Sequence, residues 1–361
     1  PAGQGFLKKN AVQEEAIFIQ ETEKGRFLAV KYLKPGLSTV ELLQSWIPAM
    51  ILQIPFDKKM TWSQPEFTFS RPLRWLLILW NDIPLSLPFF NVPCGNITYG
   101  NRFLGLEKSI PINKAEEYLP TLREHKVIAD IEERRTEITN QLANIFPEGD
   151  YQVIPNRNLI ETVMNLVEFP TAVTGQFDKK YLSLPDKIII STISQAQKYF
   201  AVQDKQGNLS NRFVFIANGN PEHIQIIRQG NEKVVNARLA DALWYWNEDT
   251  KHPLQNWTLH LDNVIFQAKL GTMAEKTKRI IHLVTALAEE LQLTETQKAK
   301  AIRCAELCKA DLVTNMLGEK EFTKLQGYIG KQYALASGED EEVAEGIYEH
   351  YMPRSANDKL P

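Results

Sequence analysis

The sequence predicts an α+β protein in which mixed helices and strands are followed by a part built of helices alone. Before Pro221, short apolar runs alternate with turns rich in Gly, Pro and Asn, as strands and their connections do. From Pro221 onward, apolar residues recur at helical spacing instead. A chain of 361 residues is long enough for two or three domains. We predict an N-terminal α+β segment over 1–66, an α+β region over 67–255 and a helical domain over 256–361.

The N-terminal segment contains a hairpin and a helix. The apolar residues 17–19 and the segment 26–30, which is apolar after Arg26, flank a polar turn that contains Gly25, and this pattern predicts a β-hairpin. Apolar side chains at helical spacing over 39–52 predict the helix that follows. Pro48 lies inside this helix and should end or kink it, because proline lacks the N–H group that a helix uses.

The α+β region begins with a β pattern and then changes to a long helix. Residues 71–80 predict a strand that ends at the turn Asn81-Asp82, and residues 85–90 predict a second strand. The many prolines of this region confine several of its strands to sheet edges or loops. Residues 115–146 predict one long helix with a charged and an apolar face.

The α+β region also contains the most clearly patterned hairpin of the chain. Residues 197–202 and 212–217 are strand-like segments on either side of residues 204–208. That connection reads Asp-Lys-Gln-Gly-Asn, a composition typical of a tight turn.

The helical part is predicted from its periodicity and from one acidic segment. Residues 280–291 place their apolar side chains on one helical face. Residues 338–349 begin with several acids, which suit the positive end of a helix dipole and predict a capped, solvated helix. The aromatic cluster 244–246 precedes this part, and it fits either the core or a protein interface.

The composition argues against several classes of protein. The net charge is −3, so no overall positive field draws the chain to nucleic acid, and any RNA contact must use a local patch. Cys94, Cys304 and Cys308 lack metal-site spacing and predict reduced thiols. The longest apolar run, Trp75–Trp80, is far shorter than the roughly 20 residues that span a bilayer. No signal peptide is visible, so we expect a cytoplasmic protein.

Arg71 and Arg74 are candidate contacts for RNA. They lie among the aromatic residues Phe67, Phe69 and Trp75, and arginine with neighbouring aromatic rings suits stacking on unpaired bases. The same alternation also fits a sheet whose core holds the aromatic rings and whose wet face holds the arginines. The second interpretation needs fewer assumptions.

A second basic stretch covers residues 267–279. It contains Lys269, Lys276, Lys278 and Arg279 against the single acid Glu275, so it is a candidate contact for RNA phosphates or an ordinary surface helix. The chain has no GxGxxG or GxxxxGK[ST] phosphate loop and no GxSxG nucleophile motif.

Several segments of the chain, in collinear order, match the motifs of one protein family. In the first two thirds they are Phe69–Trp75 (F-x-R-P-x-x-W), Gly100–Phe103 (G-H-R-F), Leu166–Pro170 (L-V-E-W-P), Gln197–Phe200 (Q-K-Y-F) and Gly230–Ala242 (G-N-E-x-V-x-x-A-R-L-x-D-A). In the last third they are Leu270–Arg279, Cys308–Met316, Phe322–Gly327 and Tyr351–Pro361. With these motifs the chain resembles the β subunits of the bacterial-type, two-subunit glycyl-tRNA synthetases, and the resemblance covers nearly the whole chain.

The resemblance implies a function and a set of partners. In this family the α subunit holds the class II active site and uses ATP and Mg, whereas the β subunit binds and orients tRNA(Gly). The chain is therefore expected to be a non-catalytic, tRNA-binding subunit of an α2β2 glycine–tRNA ligase. We expect it to have no catalytic residues, no cofactor of its own, and neither DNA nor membrane as a partner.

The resemblance also implies a finer fold. The mixed α/β modules are expected to include a region similar to the B3/B4 module of phenylalanyl-tRNA synthetase, and the helical domain to resemble the HD phosphohydrolases. The chain begins at Pro1 rather than methionine and stops at Pro361. We therefore expect it to be an internal piece in which the HD-like domain is truncated.

The HD-like domain raises the question of a metal site. HD enzymes use a His, an adjacent His-Asp pair and a further Asp to hold divalent cations that activate water. Asp311 stands at the Asp of the pair, but Lys309 and Ala310 precede it and supply no imidazole. His282 lies upstream in an apolar-periodic run that favours a packed or half-exposed histidine. We therefore expect a degenerate HD position and no bound metal.

Two departures from the family pattern affect expected RNA contacts. Asn101 replaces the histidine of G-H-R-F, and an amide cannot titrate near neutral pH. Residues 59–62 read K-M-T-W where the family commonly has K-x-M-R-W, which removes one positive charge.

The expected tRNA contacts are basic residues within or beside these motifs. They are Arg71, Arg74, Arg102, Lys198, Arg238, Lys276 and Arg279. Two other functions stay open: a metal-dependent HD-type phosphohydrolase centred on Asp311, and a protein-interaction scaffold anchored by residues 244–246.

Overall fold

The computed structural model describes residues 2–10, 13–31, 35–62, 67–104, 106, 108–219 and 221–361. The chain divides into two compact units. The first comprises residues 1–98 and 109–118, and the second comprises residues 99–108 and 119–361.

Helices and short strands follow one another up to Pro111. They are α1 (Ala2–Asn10), β1 (Ile17–Thr22), β2 (Gly25–Val30), α2 (Thr39–Gln53), β3 (Met60–Thr61), β4 (Thr68–Phe69), β5 (Leu76–Leu77), β6 (Leu79–Trp80), β7 (Ile83–Pro84), β8 (Cys94–Gly95), β9 (Ile97–Tyr99) and β10 (Ser109–Pro111). Strands β1 and β2 pair antiparallel with Thr22 opposite Gly25, which confirms the predicted N-terminal hairpin.

Helix α2 is confirmed, and of the two outcomes predicted for Pro48, an end or a kink, the end does not occur. A capping box starts the helix, in which the side chains of Ser38 and Glu41 each accept a hydrogen bond from the other's backbone N–H. The helix continues past Pro48 to Gln53. Buried Ile51, beyond the proline, packs into a cluster with Phe67, Leu87 and Phe89, and this burial holds the last turn in place.

The β pattern after Phe67 is realised as very short strands. The predicted strand 71–80 contains only the two-residue strands β5 and β6, and Asn81-Asp82 forms the predicted turn with φ values of 46° and 64°. No strand forms over 85–90, where that prediction is wrong. Buried and exposed residues alternate there, but Pro88 has no N–H to donate to a ladder.

The secondary-structure elements of the rest of the chain are generally longer, and most of them are helices. They are α3 (Tyr118–Glu124), α4 (Ile131–Asn144), β11 (Tyr151–Val153), α5 (Arg157–Val163), β12 (Thr171–Gln176), α6 (Asp186–Ser191), β13 (Phe200–Asp204), β14 (Leu209–Ala217), α7 (Ile224–Asp249), α8 (Leu254–Trp257), β15 (Ile265–Gln267), β16 (Gly271–Thr272), α9 (Met273–Glu290), α10 (Glu295–Leu307), α11 (Asn315–Gly318), α12 (Tyr328–Ala336) and α13 (Glu341–Glu349).

The predicted single helix over 115–146 is wrong, because the chain forms two helices with a break between them. Lys126 adopts a left-handed conformation with φ of 62°, which ends α3. Asp130 then begins α4 by accepting hydrogen bonds from the N–H groups of Glu132 and Glu133.

A four-stranded antiparallel sheet in the order β11-β13-β14-β12 organises the second unit. The predicted hairpin is confirmed as β13 and β14, and Asp204 accepts hydrogen bonds from the turn N–H groups of Gln206 and Asn208. One face of the sheet packs Phe200 into a cluster with residues of α4 and α5. The opposite face packs Phe213 against α6 and α7. Alternate residues of each strand therefore belong to different clusters.

The predicted change to helices after the sheet is confirmed, with one exception. The part after residue 255 contains the small antiparallel pair β15 and β16, where Gly271 has φ of 82° and Thr272 caps α9. The acidic helix α13 is capped by Asp340, as predicted. One cluster of buried side chains runs from Val173 on the sheet to Ile347 on α13. Within the described residues, no helix has both the length and the apolar character that crossing a membrane requires.

Candidate functional site

An aromatic pocket of about 400 Å³ lies beside strand β14 and helix α7 in the second unit. The described residues that line it are Phe103, Tyr199, Phe215, Ile216, Ala217, Asn218, Gly219, Ile227 and Asn231. Among these residues only Tyr199 has an ionisable side chain. Burial raises the pKa of that phenol, which keeps it neutral near pH 7. The aromatic pocket is therefore uncharged.

Three of the sequence motifs line this pocket, and a fourth is hydrogen-bonded to one of the lining residues. Phe103 comes from G-N-R-F, Tyr199 from Q-K-Y-F and Asn231 from G-N-E. The fourth motif, L-V-E-F-P, is held by Asn218, whose Oδ1 accepts from the N–H groups of Glu168 and Phe169 at 2.9 and 3.0 Å. Segments far apart in the chain thus build one concave surface.

The local conformation of the chain directs Tyr199 to this surface. A π-helical turn over Thr192–Ala196 is followed by Lys198 in a left-handed conformation with φ of 62°. The Tyr199 ring then stacks on Phe213, with ring centres 5.4 Å apart and planes 10° apart. Its hydroxyl donates to Asn231 Oδ1, and Asn231 Nδ2 donates to the carbonyl of Ile227 at 2.7 Å.

Phe103 forms the outer wall of the pocket. It lies on a short 3₁₀ turn, Arg102–Leu104, and 73% of its surface is exposed. An aromatic ring left open beside a pocket of other aromatic rings suits a planar ligand.

Asn218 brings unused hydrogen-bonding capacity to the pocket. Its Oδ1 is identified by the two backbone N–H groups that it accepts, so Nδ2 is the atom that remains. Nδ2 has two donor hydrogens, and no acceptor among the described residues takes either of them.

The expected tRNA contacts are distributed over both compact units. Arg102 and Lys198 are exposed and directly precede the pocket residues Phe103 and Tyr199. Arg238 is exposed on α7, two turns from Asn231, a spacing that places both on the same side of the helix.

Arg71 and Arg74 belong to the first unit and are exposed, and the Arg74 guanidinium lies 5.6 Å from the Trp75 ring centre. The neighbouring Phe67 is buried in the cluster of the first unit and Phe69 packs against it, which confirms the core interpretation of these two aromatic rings.

Lys276 and Arg279 lie on α9, away from the elements that build the aromatic pocket. Lys276 is half-buried, with Nζ 3.7 Å from the ring centre of Phe266, and Arg279 is exposed. Lys276 also lines a second cavity of about 360 Å³ together with Cys308, Lys309 and His350.

Asp311, which the sequence predicts to be a degenerate HD position, is completely buried. Its Oδ2 accepts a hydrogen bond from the N–H of Gly327 at 2.6 Å, whereas Oδ1 has no hydrogen-bond partner among the described residues. Burial raises the pKa of this carboxyl to about 6. Gly327 has φ of 78°, and a Cβ there would lie 2.7 Å from Tyr351. The glycine of the F-T-K-L-Q-G motif is therefore required by the close approach of that ring.

An imidazole does reach this region, although the sequence does not place one beside Asp311. Lys309 Nζ is buried and donates to His350 Nε2 at 2.7 Å, while His350 Nδ1 donates to the carbonyl of Ile347 at 2.7 Å. The ammonium also lies 3.8 Å from the ring centre of Tyr351. We call Lys309, Asp311, Gly327, His350 and Tyr351 the lysine cluster.

The electrostatics of the lysine cluster favour a neutral histidine. Desolvation and the nearby Lys309 ammonium lower the pKa of His350 to about 4. Burial also lowers the pKa of Lys309. Part of the His350 residue is open to solvent, but both ring nitrogens have partners.

The donor set of the lysine cluster does not suit a divalent cation. Its imidazole binds an ammonium group, its single carboxylate is already bonded to Gly327, and the ammonium would repel a metal ion. Among the described residues, no three His, Cys, Asp or Glu side chains come close enough to hold a metal. His282 is exposed on α9.

Sequence reasoning missed a second buried acid, Asp249 at the end of α7. Its oxygens accept hydrogen bonds from Asn315 N and Nδ2 at 3.1 and 2.7 Å, from Met316 N at 3.0 Å and from the Tyr333 hydroxyl at 2.8 Å. This network accounts for Asn315 in the motif after Cys308, because its side chain donates to Asp249. One signal was present in the sequence, because an acid in the last turn of a helix opposes the helix dipole.

The aromatic cluster 244–246 divides between core and surface. Trp246 packs beside Tyr333 with ring centres 5.2 Å apart, and Tyr245 donates to Glu319 at 2.8 Å. Trp244 keeps 56% of its surface exposed.

The departure at Asn101 falls on a buried position. The side chain is fully buried, and neither its Oδ1 nor its Nδ2 has a hydrogen-bond partner among the described residues. Within that part of the chain, the amide does not replace the hydrogen bonds that a histidine could make there.

The whole chain is similar to one protein family. A family model described as glycyl-tRNA synthetase beta subunit matches residues 1–361. The glycine–tRNA ligase beta subunit of Dictyoglomus thermophilum is 39% identical over 356 residues, which cover 99% of this chain and 51% of that protein.

Two further glycine–tRNA ligase beta subunits show the same relation. The protein of Syntrophotalea carbinolica is 39% identical over 365 residues, covering 100% of this chain and 52% of that protein. The protein of Lactiplantibacillus plantarum is 38% identical over 357 residues, covering 99% and 51%. The chain spans about half the length of the curated relatives it matches.

Proposed function

The chain belongs to the family of glycyl-tRNA synthetase β subunits, and from this premise we propose that it is the tRNA-binding, non-catalytic component of a glycine–tRNA ligase. In this role it holds tRNA(Gly) while a separate α subunit joins glycine to the tRNA with ATP and Mg. The chain itself contributes no catalytic residue and binds no cofactor of its own. It acts in the cytoplasm as part of an α2β2 assembly.

The convergence of three motifs on the aromatic pocket carries this proposal. The lining side chains that these motifs supply are two aromatic rings and an amide rather than carboxylates, imidazoles or nucleophiles, so they suit binding better than catalysis. The exposed cations Arg102 and Lys198 adjoin the pocket residues in sequence and supply the local positive charge that RNA phosphates need.

The finer fold belongs to the same proposal. The four-stranded sheet and its helices fall within the B3/B4-like region of 67–255, and the helices after 255 correspond to an HD-like domain that is incomplete. In the lysine cluster an ammonium group, Lys309, is bonded to the imidazole of His350, and this contact supports loss of hydrolase chemistry at Asp311.

A salt titration of tRNA(Gly) binding tests the electrostatic part of the proposal. Labelled tRNA(Gly) is titrated with the 361-residue chain, alone and with the α subunit, over a series of salt concentrations. The double variant Arg102→Gln/Lys198→Gln should bind more weakly and lower the slope of log K against log salt by about 0.7 to 0.9 for each lost phosphate contact.

Matched controls separate this effect from a general loss of charge. Lys24→Gln/Arg26→Gln removes two exposed cations from the β1–β2 hairpin and should leave the slope unchanged. Unchanged binding and an unchanged slope in the Arg102/Lys198 variant would remove those two residues from the interface. Failure of the unmodified chain to bind tRNA(Gly) even with the α subunit would refute the proposed function.

A protein-binding role has one specific observation in its favour. Trp244 is largely exposed on α7, and tryptophan is enriched where protein interfaces form. Trp244→Ala should weaken association with the α subunit if this ring anchors that contact, as measured by analytical ultracentrifugation. An unchanged association constant would exclude it.

A further inference from the structure

We propose that the aromatic pocket binds one unpaired RNA base, which stacks on Phe103 and accepts a hydrogen bond from Asn218. This assignment rests on the proposed function and names the part of the RNA that the pocket would take. Nothing in the motif resemblance or in the relatives' names assigns a ligand to these residues.

The first step in the argument is the charge of the pocket. Its described lining contains no carboxylate, ammonium, guanidinium or imidazole group, and its one phenol is neutral. A phosphate, a carboxylate or an ammonium group would lose its hydration there without gaining an ionic partner. The ligand group that enters is therefore neutral.

The second step is the shape of the pocket. Tyr199 and Phe215 line it from the core, and Phe103 borders it with 73% of its surface exposed. Successive aromatic surfaces favour a flat ring, and every nucleobase has a π-face that can stack on such a ring. A volume of about 400 Å³ lies within the range of pockets that take small planar ligands.

The third step is the hydrogen-bond donor that has no acceptor among the described residues, Asn218 Nδ2. Asn218 Nδ2 offers two hydrogens, and its position is set by the two backbone N–H groups that bond to Oδ1. A purely apolar ligand would leave these donors without an acceptor, whereas uracil, cytosine and guanine each present a ring carbonyl. This favours a base over the side chain of a leucine or phenylalanine from a partner protein.

The fourth step is the charge beside the pocket. Arg102 and Lys198 each lie one residue before a pocket aromatic, and both side chains are exposed. Lys198 Nζ donates to the carbonyl of Gln195 at 2.6 Å, which holds the ammonium near the left-handed turn. A nucleotide whose base enters the neutral pocket would keep its phosphates near these cations, as single-stranded RNA sites require.

A pair of oligonucleotides tests the base directly. Fluorescein-labelled hexauridylate and the same hexamer with one central abasic ribose carry equal phosphate charge but differ by one base. The abasic hexamers are made with the gap at each internal position, so that the base in the pocket is included. At least one abasic hexamer should bind the 361-residue chain about 5- to 100-fold more weakly, the range that loss of one stacked base produces.

Variants of Phe103 place this effect at the pocket. Phe103→Ala should weaken hexauridylate binding by the same factor and abolish the preference over the abasic hexamer, whereas Phe103→Trp should retain both. Phe27→Ala removes a phenylalanine that is 52% exposed on β2 and should change neither.

Asn218→Asp keeps the acceptor for Glu168 and Phe169 but loses the donors, and it should weaken binding even at about 0.5 M salt, where its new charge is screened.

Each outcome decides for or against the base pocket. Equal affinity of Phe103→Ala and the unmodified chain for hexauridylate overturns it, as does loss of α-subunit association in Phe103→Ala with RNA binding unchanged. If Phe103→Ala leaves hexauridylate binding unchanged while the Arg102/Lys198 variant loses binding of tRNA(Gly), the base pocket is refuted and the proposed function stands. If hexauridylate binding depends on Phe103 but tRNA(Gly) is not bound, the base pocket stands and the proposed function falls.

Discussion

The aromatic pocket and the lysine cluster are both built from motif residues of the second unit, yet they use their polar groups differently. In the lysine cluster, Lys309 bonds to His350, His350 to Ile347 and Asp311 to Gly327, so the groups are directed at one another. In the aromatic pocket, Phe103 is exposed and Asn218 Nδ2 faces no acceptor among the described residues. The lysine cluster therefore resembles a structural network, and the aromatic pocket a binding site.

The largest expected effect of a change within the lysine cluster is on folding, at Gly327. Gly327→Ala combines a left-handed backbone with a Cβ that would meet Tyr351 at 2.7 Å, and we expect it to lower the free energy of unfolding by about 3 kcal/mol. Urea denaturation followed by circular dichroism measures this change.

Gly149→Ala is the matched control for Gly327→Ala. Gly149 has a similar φ of 70°, but a Cβ there would meet no atom within 4 Å, so only the backbone cost of about 1 kcal/mol should appear. Equal losses in the two variants would show that the contact with Tyr351 does not constrain the lysine cluster.

The second prediction concerns the pH dependence contributed by Asp311. Its pKa is raised to about 6 from an ordinary value of 3.8, so the folded state binds its proton more tightly than the unfolded state. This group therefore favours folding below pH 4 and loses that contribution as the pH rises through about 6, by up to about 3 kcal/mol.

Asp311→Asn isolates this contribution, because it removes the titrating carboxyl and leaves Lys309 and His350 in place. The stability of the variant relative to the unmodified protein should increase from pH 4 to pH 7, measured by urea denaturation at each pH. His350, with its lowered pKa, acts in the opposite direction and is common to both proteins. A difference that does not vary with pH would contradict the raised pKa of Asp311.

The third prediction concerns the aromatic pocket, where loss of the exposed ring should hardly change the free energy of unfolding. Phe103→Ala should change the free energy of unfolding by less than about 0.5 kcal/mol, because its ring is exposed and supports little of the core. Phe213→Ala, which removes the buried ring beneath Tyr199, should cost about 3 to 4 kcal/mol by the same urea measurement. A large loss in Phe103→Ala would make the pocket structural and weaken the contrast.

The smallest expected effect is the response of the lysine cluster to metal. Mn²⁺ or Mg²⁺ at about 1 mM should not change the melting temperature, since Lys309 repels a cation and Asp311 offers one carboxylate. Metal analysis of the purified protein and an assay of nucleotide turnover accompany this measurement. Stabilisation that disappears in Asp311→Asn would restore the phosphohydrolase hypothesis.

Local chemistry made part of the fold predictable. The β13–β14 hairpin follows from Asp204 and the turn residues beside it, and the helices from apolar periodicity. The division between α3 and α4 was missed because the periodic pattern continues through Asp130, whose capping role depends on the backbone around it. Helix α2 passes Pro48 because packing of Ile51 outweighs a local penalty.

The candidate site was predictable in its motifs but not in its geometry. Arg102 and Lys198 were selected for their charge, whereas the adjacent Phe103 and Tyr199 line the pocket. Their meeting with Asn231 depends on the paths of three separate segments. His350 likewise reaches Lys309 from the far end of the helical part, and no spacing rule within the sequence indicates this.

The cluster of buried side chains that runs from Val173 to Ile347 has a consequence for how this protein can be dissected. A cut at the predicted boundary after residue 255 would separate Phe213 on the sheet from Ile329 and Ile347 on the helices. Each fragment would then expose a large apolar surface to water and would tend to aggregate. The sheet and the helices should accordingly unfold in one cooperative transition. A chimera of two relatives should fold only when the sheet and the helices that share this core come from the same parent.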